Sequence, residues 1–386
     1  MAHLVPRAGP AADSRRRAVA LAALALGVAC LFWPLFERMV AGPSDFGGHL
    51  RFAREMERAR AAHSERFGFE LLVLALSRLW APPRDLASAA ILLATAATAA
   101  KAVLSARWLG REMAPARAAA VAAALLFLAP ITFAARHPLR SAHSAVHLGQ
   151  MSGLIFHNPT TVVVFPLVLA LFVASWRGRA VSTSLLAALQ CFVKPSYVAA
   201  WLPVLPALEV WRGRRGGLRL GRIALRTAAI AAAPAAVLAW QFLTSDSLGT
   251  IVVGPWRAWR VYSADIPLSI ARSLAFPALL AAVHWREVRR RPEHFYAWAV
   301  FAVAFAQYAL LYLRGEGYAG NWSWGRYLAI YVVFLLSVEL FVHVAARRES
   351  WRGWRAAANG GLAALLALHL GSGLFYYWQG VRNGLW

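Results

Sequence analysis

The stretch RRRAVALAALALGVACLFWPLFERMVAGPSDFGGHLR, residues 15–51, decides how the rest of the chain is read. Three arginines precede an apolar run at residues 18–40, long enough for a helix to cross a bilayer. That start is also the start of a signal peptide. The run is longer than a usual h-region, however, and offers no small-residue cleavage site before Pro34, so it reads as a retained signal anchor. Where the chain leaves the lipid, Ser44-Asp45-Phe46-Gly47-Gly48-His49-Leu50-Arg51 follows. Asp45 and His49 are four residues apart and share one face of a helix. The glycines between them weaken that helix and allow close approach. A carboxylate and an imidazole together at a membrane surface accept and donate protons. The plainer reading makes Asp45 the N-cap of the amphipathic segment and His49 a solvated neighbour.

Composition sets the class around that stretch. The chain has 386 residues, 60% of them hydrophobic and only 15% charged. These values exclude an ordinary water-soluble domain. The only two cysteines, Cys30 and Cys191, lie inside apolar runs, so no structural disulfide is expected. The net charge of +24 raises the question of nucleic acid. Its distribution answers otherwise. Basic residues cluster at alternate gaps between apolar runs: 15–17, 107–117, 177–179, 212–226, 286–291 and 347–355. That alternation is the positive-inside pattern. Membrane lipids, with anionic head groups among them, are expected partners; DNA and RNA are not.

Taken in order, the chain reads as an all-α polytopic membrane protein of about eleven spans in a single transmembrane domain, 1–386. Residues 1–17 are a cytoplasmic tail. Residues 41–84 form an external loop with interfacial helices: a mixed segment at 50–60 and a short apolar one at 67–80. Further spans are expected at 85–106, 118–135 and 161–176. Lys101 near the inner end of its span is expected to snorkel. Residues 181–211 go out and back around Lys194-Pro195-Ser196-Tyr197, with the turn below the outer surface, inside protein or a water-filled cavity. The remaining spans fall at 223–243, 266–285, 295–313, 327–345 and 360–378. The chain is placed in the inner (plasma) membrane, N-terminus cytoplasmic and C-terminus external.

The polar residues outside the cytoplasmic loops gather on the opposite side. They are Asp45, His49, Arg140, the histidines of 136–160, His157-Asn158-Pro159-Thr160, Lys194, Glu316, Asn321, Trp324 and Arg326. Ionisable groups in or beside spans are costly and tend to face an internal cavity. Lys194 reads either as a lysine snorkelling outward or as a point charge for a phosphate at a helix break. Arg140 and Arg326 would add bidentate phosphate contacts. Asn158 or Thr160 caps the next helix, with Pro159 in its first turn, while His157 is placed to bind a sugar hydroxyl or a phosphate. His143 and His147 have zinc-like i, i+4 spacing, but no third ligand stands at a telling distance. No clear ligand set marks a resident metal, a divalent ion being the open alternative, and no other cofactor is expected. Trp256, Trp259, Trp322 and Trp324 read as an interfacial belt, with sugar stacking as the sharper alternative. Asn321-Trp322-Ser323 matches a glycosylation sequon. Glu339 and Arg272 are candidates for an intramembrane pair.

An acid in the first external loop, just after the first span and before interfacial helices, resembles the GT-C superfamily of polytopic glycosyltransferases. A lysine at the break between two short helices, Cys191-Phe192-Val193-Lys194-Pro195-Ser196, is similar to a feature of that superfamily's lipid-linked-sugar enzymes. The likeness covers the layout of roughly the first half of the chain. It implies a polyprenyl-phosphate-linked sugar as donor and a glycan or lipid as acceptor. It further implies that Asp45 acts near the acceptor as base or metal ligand, and that Lys194 meets the donor phosphate. The sequence departs from the pattern in having no second acid beside Asp45 and no C-terminal soluble domain.

The expected chemistry is an inverting transfer on the external face. Asp45, with His49, deprotonates the acceptor hydroxyl. Lys194 and Arg140 or Arg326 stabilise the leaving phosphate, and Glu316, Asn321 and His157 position the sugars; Asn158 and Trp324 are further substrate-binding candidates. The alternatives are a lipid-linked-sugar flippase or transporter, which shares broken helices and mid-membrane charge, and a non-catalytic component of a polysaccharide-assembly complex.

Overall fold

A computed structural model describes residues 10–60, 67–79, 85–132, 150–244, 250–314 and 322–383. The chain is almost wholly helical. The anchor becomes α1 (Pro10–Ala41), followed by α2 (Asp45–Ala59) and α3 (Gly68–Leu79). Phe46, Leu50, Ala53 and Met56 recur at helical spacing along α2 and are its buried face. Phe46 sits between Phe36 of α1 and Phe69 of α3, at 6.1 and 6.4 Å between ring centres. Two short amphipathic helices are thus folded back over the end of α1.

The bundle continues with α4 (Leu86–Leu109), α5 (Pro115–Leu125) and α6 (Pro159–Trp176). Asp85 caps α4 through the backbone N–H groups of Ala87 and Ser88. Burial pushes the Asp85 carboxyl up, but those two donors, with Ser88 Oγ and the nearby Arg54, outweigh it and hold it below its ordinary value. Next come α7 (Ala180–Val193), α8 (Ser196–Trp201), α9 (Leu205–Arg215) and α10 (Leu220–Thr244), then α11 (Arg257–Tyr262), α12 (Ile266–Val283), α13 (Trp285–Arg289), α14 (Pro292–Leu310), α15 (Ser323–Ala345) and α16 (Trp354–Asn383). α1 packs on α4, α4 on α6, α6 on α7 and α7 on α10; α14 and α15 pair and both touch α8. α15 is the central helix, with 83% of its apolar window buried, against 17% for the peripheral α10. Apolar residues surround α15 on every side, as burial in a bundle core requires.

Seven helices among the described residues are long and apolar enough to cross a membrane: α1, α4, α6, α10, α12, α15 and α16. The chain is therefore a multi-pass, all-α membrane protein. The other expected spans are shorter or broken. The one expected at 118–135 stops at Leu125, and Pro130 keeps the residue before it out of the helical region. The backbone beyond is paired with other helices instead: Ala129 N–H to His369 O, Ile131 N–H to Arg272 O and Thr132 N–H to Ser372 Oγ. The span expected at 295–313 ends at Leu310. There the chain turns extended as β2 (Leu311–Arg314), which pairs antiparallel with β1 (Thr250–Val253), in the register Val252↔Tyr312. The β-branched and aromatic residues of both stretches suit a ladder.

Contacts define the two ends of the bundle. At one end Arg17 donates to Gly110 O at 2.7 Å, and Glu112 accepts from Arg291 at 2.8 Å with His343 3.7 Å away. Buried Glu209 holds Arg212 and Arg226, which also grip the carbonyls of Ser175 and Gly178. The basic gaps of the sequence meet at this end.

Four expectations fail locally. Lys101 does not snorkel: it is buried, donates to Gly153 O at 3.0 Å and lies over the rings of Phe165 and Tyr331. Glu339 accepts from Trp108 Nε1 at 2.9 Å, while the Arg272 side chain is exposed, so the two do not pair. Trp259 is fully buried against Phe305 and Tyr308 and is core rather than interfacial belt. Asp45 is not the cap of α2; Ser44 is, accepting from Phe46 N–H and donating to Met39 O at 2.5 Å.

Candidate functional site

The end opposite the basic gaps holds the polar cluster. Three chain features build it. The first is the start of α2, where Asp45 occupies the first helical position and its carboxylate favours the helix dipole. The Asp45 N–H donates to His157 O at 3.2 Å, which fastens α2 to the segment leading into α6.

The second feature is the N-cap of α6. Asn158 accepts from the Thr161 N–H at 2.9 Å, with Pro159 in the first turn. The same side chain does more than cap. Its Nδ2 donates to Asp45 Oδ2 at 2.7 Å, and its Oδ1 accepts from Lys194 Nζ at 3.0 Å. An amide oriented with its N–H toward a carboxylate and its C=O toward an ammonium satisfies both charges at once. Thr160 Oγ1 and Thr161 Oγ1 both donate to Asn158 Oδ1 at 2.7 Å, and Thr160 Oγ1 accepts from Lys194 at 3.1 Å.

The third feature is the break after α7. Pro195 restricts the preceding residue to extended backbone, and Lys194 is found there, with φ −161° and ψ 104°. Carbonyls freed near the break are paired by neighbouring helices: Gln241 of α10 donates to Cys191 O at 2.9 Å and Gln307 of α14 to Ala199 O at 3.0 Å. A break within a helical bundle survives only with such partners. Lys194 is 8% exposed, and its ammonium lies 3.9 Å from the centre of the Trp324 ring. Trp324 in turn stands 6.0 Å from the His157 ring and 5.7 Å from Tyr327.

The structure therefore brings together Asp45, His157, Asn158, Lys194 and Trp324. Arg326 is wholly buried. Its guanidinium is enclosed by the rings of Trp259, Tyr308 and Tyr327 and donates to the Tyr327 hydroxyl at 3.2 Å. Tyr327 links it to Trp324 of the cluster. His49 lies one turn along α2 from Asp45 and contacts Glu70 of α3, with Nδ1 to Oε1 at 2.5 Å. Arg140, Glu316 and Asn321, with His143 and His147, lie outside the described residues. Among the described residues no group of three or more His, Cys, Asp or Glu is placed to hold a metal ion.

Sequence reasoning missed Thr161 and Glu70 as members of this region and gave Thr160 only a capping role. Thr161 was hidden behind the capping of its segment. Glu70 had a visible signal, a single acid two residues inside an otherwise apolar helix. A small pocket in the bundle is lined by Phe32, Thr98, Lys101, Phe156 and Phe165 among others, and by none of the cluster residues.

By fold, the chain belongs to the multi-pass helical membrane proteins. No protein-family model matches it, and no curated protein or solved structure is significantly similar to it.

Proposed function

We propose that the protein is a membrane glycosyltransferase that takes a sugar from a polyprenyl-phosphate-linked donor and passes it to a glycan or lipid hydroxyl. One observation carries the reading: a carboxylate, Asp45, and an ammonium, Lys194, share a single bridging amide, Asn158, at the end of the bundle away from the basic gaps. Under the positive-inside rule that end is external. The topology is then an N-terminus in the cytoplasm and a C-terminus outside, in the plasma membrane. α5, α7, α9 and α14 complete about eleven crossings.

The chemistry follows from the charges. Asp45 and His49 draw the proton from the acceptor hydroxyl. Lys194 meets the negative charge that grows on the leaving phosphate. His157, Asn158 and Trp324 stand beside these two groups, with Trp324 offering a ring face to a sugar. Arg140, Glu316 and Asn321 belong to the same external side in this reading.

Purified full-length protein, given polyprenyl-phosphate-linked sugars, is expected to form glycosylated acceptor. Asp45→Asn is expected to lower turnover about 100-fold while fold and donor binding persist. Full activity of that variant removes the catalytic role of Asp45, and a wild type that transfers nothing leaves a scaffold. Lys194→Ala is expected to weaken polyprenyl phosphate binding about 10-fold, from loss of charge-assisted contacts; equal affinity refutes the phosphate role. Movement of lipid-linked sugar between leaflets without any transfer identifies a flippase instead.

A further inference from the structure

Glu70 is a carboxylate where none is easily kept. It is 2% exposed and lies in α3 beside Phe69, Val73 and Leu74. An uncompensated buried charge is strongly destabilising. Its Oε1 lies 2.5 Å from His49 Nδ1, and its Oε2 has no hydrogen-bond partner among the described residues. His49 is the one group seen to compensate it there. The His49 ring is held edge-on by Phe52 and Phe69, at 6.4 and 5.4 Å between ring centres, and its side chain is 21% exposed. The packing is deliberate at α3 as well. A Cβ on Gly68 would stand 2.8 Å from Phe192 O and 3.0 Å from the Val193 side chain, so only glycine lets α3 approach the end of α7 just before Lys194.

A carboxylate acceptor at Nδ1 commits the Nδ1 proton and leaves Nε2 as the basic nitrogen. Asp45, one turn earlier on the same helix, already has Oδ2 engaged by Asn158. We propose that His49 Nε2 is the atom that receives the acceptor's proton, and that Glu70 is the positioning residue that fixes its tautomer and shares its charge. This rests on the glycosyl-transfer reading above. The step balances without a further reactant. The acceptor oxygen bonds to the anomeric carbon as its proton passes to His49 Nε2. The bond from that carbon to the phosphate oxygen breaks, and its electron pair leaves with the polyprenyl phosphate. The imidazolium is paired with the Glu70 carboxylate until the proton passes to water, while Asp45 stays ionised opposite the positive sugar carbon.

Two measurements on the full-length protein in nanodiscs test the assignment. The first needs no substrate. Nitrogen NMR of ring-labelled histidine, with the His49 signal assigned by its loss in His49→Gln, is expected to show the Nδ1–H tautomer, and Glu70→Leu is expected to abolish that preference. An Nε2–H tautomer in the wild type overturns the proposal. The second uses a panel of polyprenyl-phosphate-linked sugars. Glu70→Gln, nearly isosteric and able to accept the same hydrogen bond, is expected to lower kcat about 30-fold with the donor KM unchanged, and His49→Gln about 100-fold. A wild type that transfers and a Glu70→Gln variant of equal kcat overturn the proposal alone. A wild type that transfers nothing from the panel overturns the underlying reading and the proposal with it.

Discussion

Asn158→Ala is expected to abolish most sugar transfer, by 100-fold or more. Two charge-assisted hydrogen bonds end on this one side chain, and each is worth roughly 1.5–3 kcal/mol. Asp45 loses its donor and Lys194 loses an acceptor. The α6 cap is lost as well, at about 1 kcal/mol. A stability effect alone would mimic the first result, so Asn158→Asp is the informative companion. Aspartate caps as well as asparagine and attracts Lys194, but it sets a second negative charge against Asp45. Stability is expected to recover and transfer is not. Thermal unfolding and turnover, measured on both variants, separate the cases. Recovery of transfer in Asn158→Asp refutes the bridging role.

The second large effect lies in the scaffold. Gly373 of α16 faces the non-helical stretch after α5, and a Cβ there would stand 1.6 Å from Phe127 O. That oxygen is backbone and is fixed from several sides. Ala129 N–H reaches His369 O at 3.3 Å, His369 Nδ1 lies 2.6 Å from Ala129 O, and Thr132 N–H reaches Ser372 Oγ at 3.1 Å. Gly373→Ala therefore has to part α16 from the stretch as a whole. The expected cost is about 3 kcal/mol or more, beyond ordinary overpacking. Detergent-solubilised variant is expected to unfold well below the wild type or to be recovered only as aggregate. A melting temperature within about a degree of the wild type contradicts the packing described.

These two residues show what a sequence yields and what it withholds. Asn158 was legible as a cap because Asn-Pro-Thr before an apolar run is a local signal. Its bridge from Asp45 to Lys194 was not, because the three residues come from distant segments. The break at Lys194 was legible for the same local reason, since Pro195 disfavours helical backbone at the residue before it. Spans could be counted only where apolar length was intact. One of them stopped at Leu125, and the β1–β2 ladder took the end of another; both depend on partners elsewhere in the chain. Charged residues in apolar runs were the hardest to place. Lys101, Glu339 and Glu70 each carry a sequence signal that something must meet them. The sequence does not say whether that is lipid surface, a ring, an indole N–H or an imidazole. For Trp259 and Arg326 the answer was each other.

The cage around Lys101 bears on how the protein is made. A lysine near the middle of a helix costs about 2.5–3.5 kcal/mol on entering a bilayer alone. Its carbonyl partner at Gly153 is synthesised 52 residues later, and the Tyr331 ring later still. A newly made α4 therefore carries that cost unrelieved until the helices that enclose the lysine have been made.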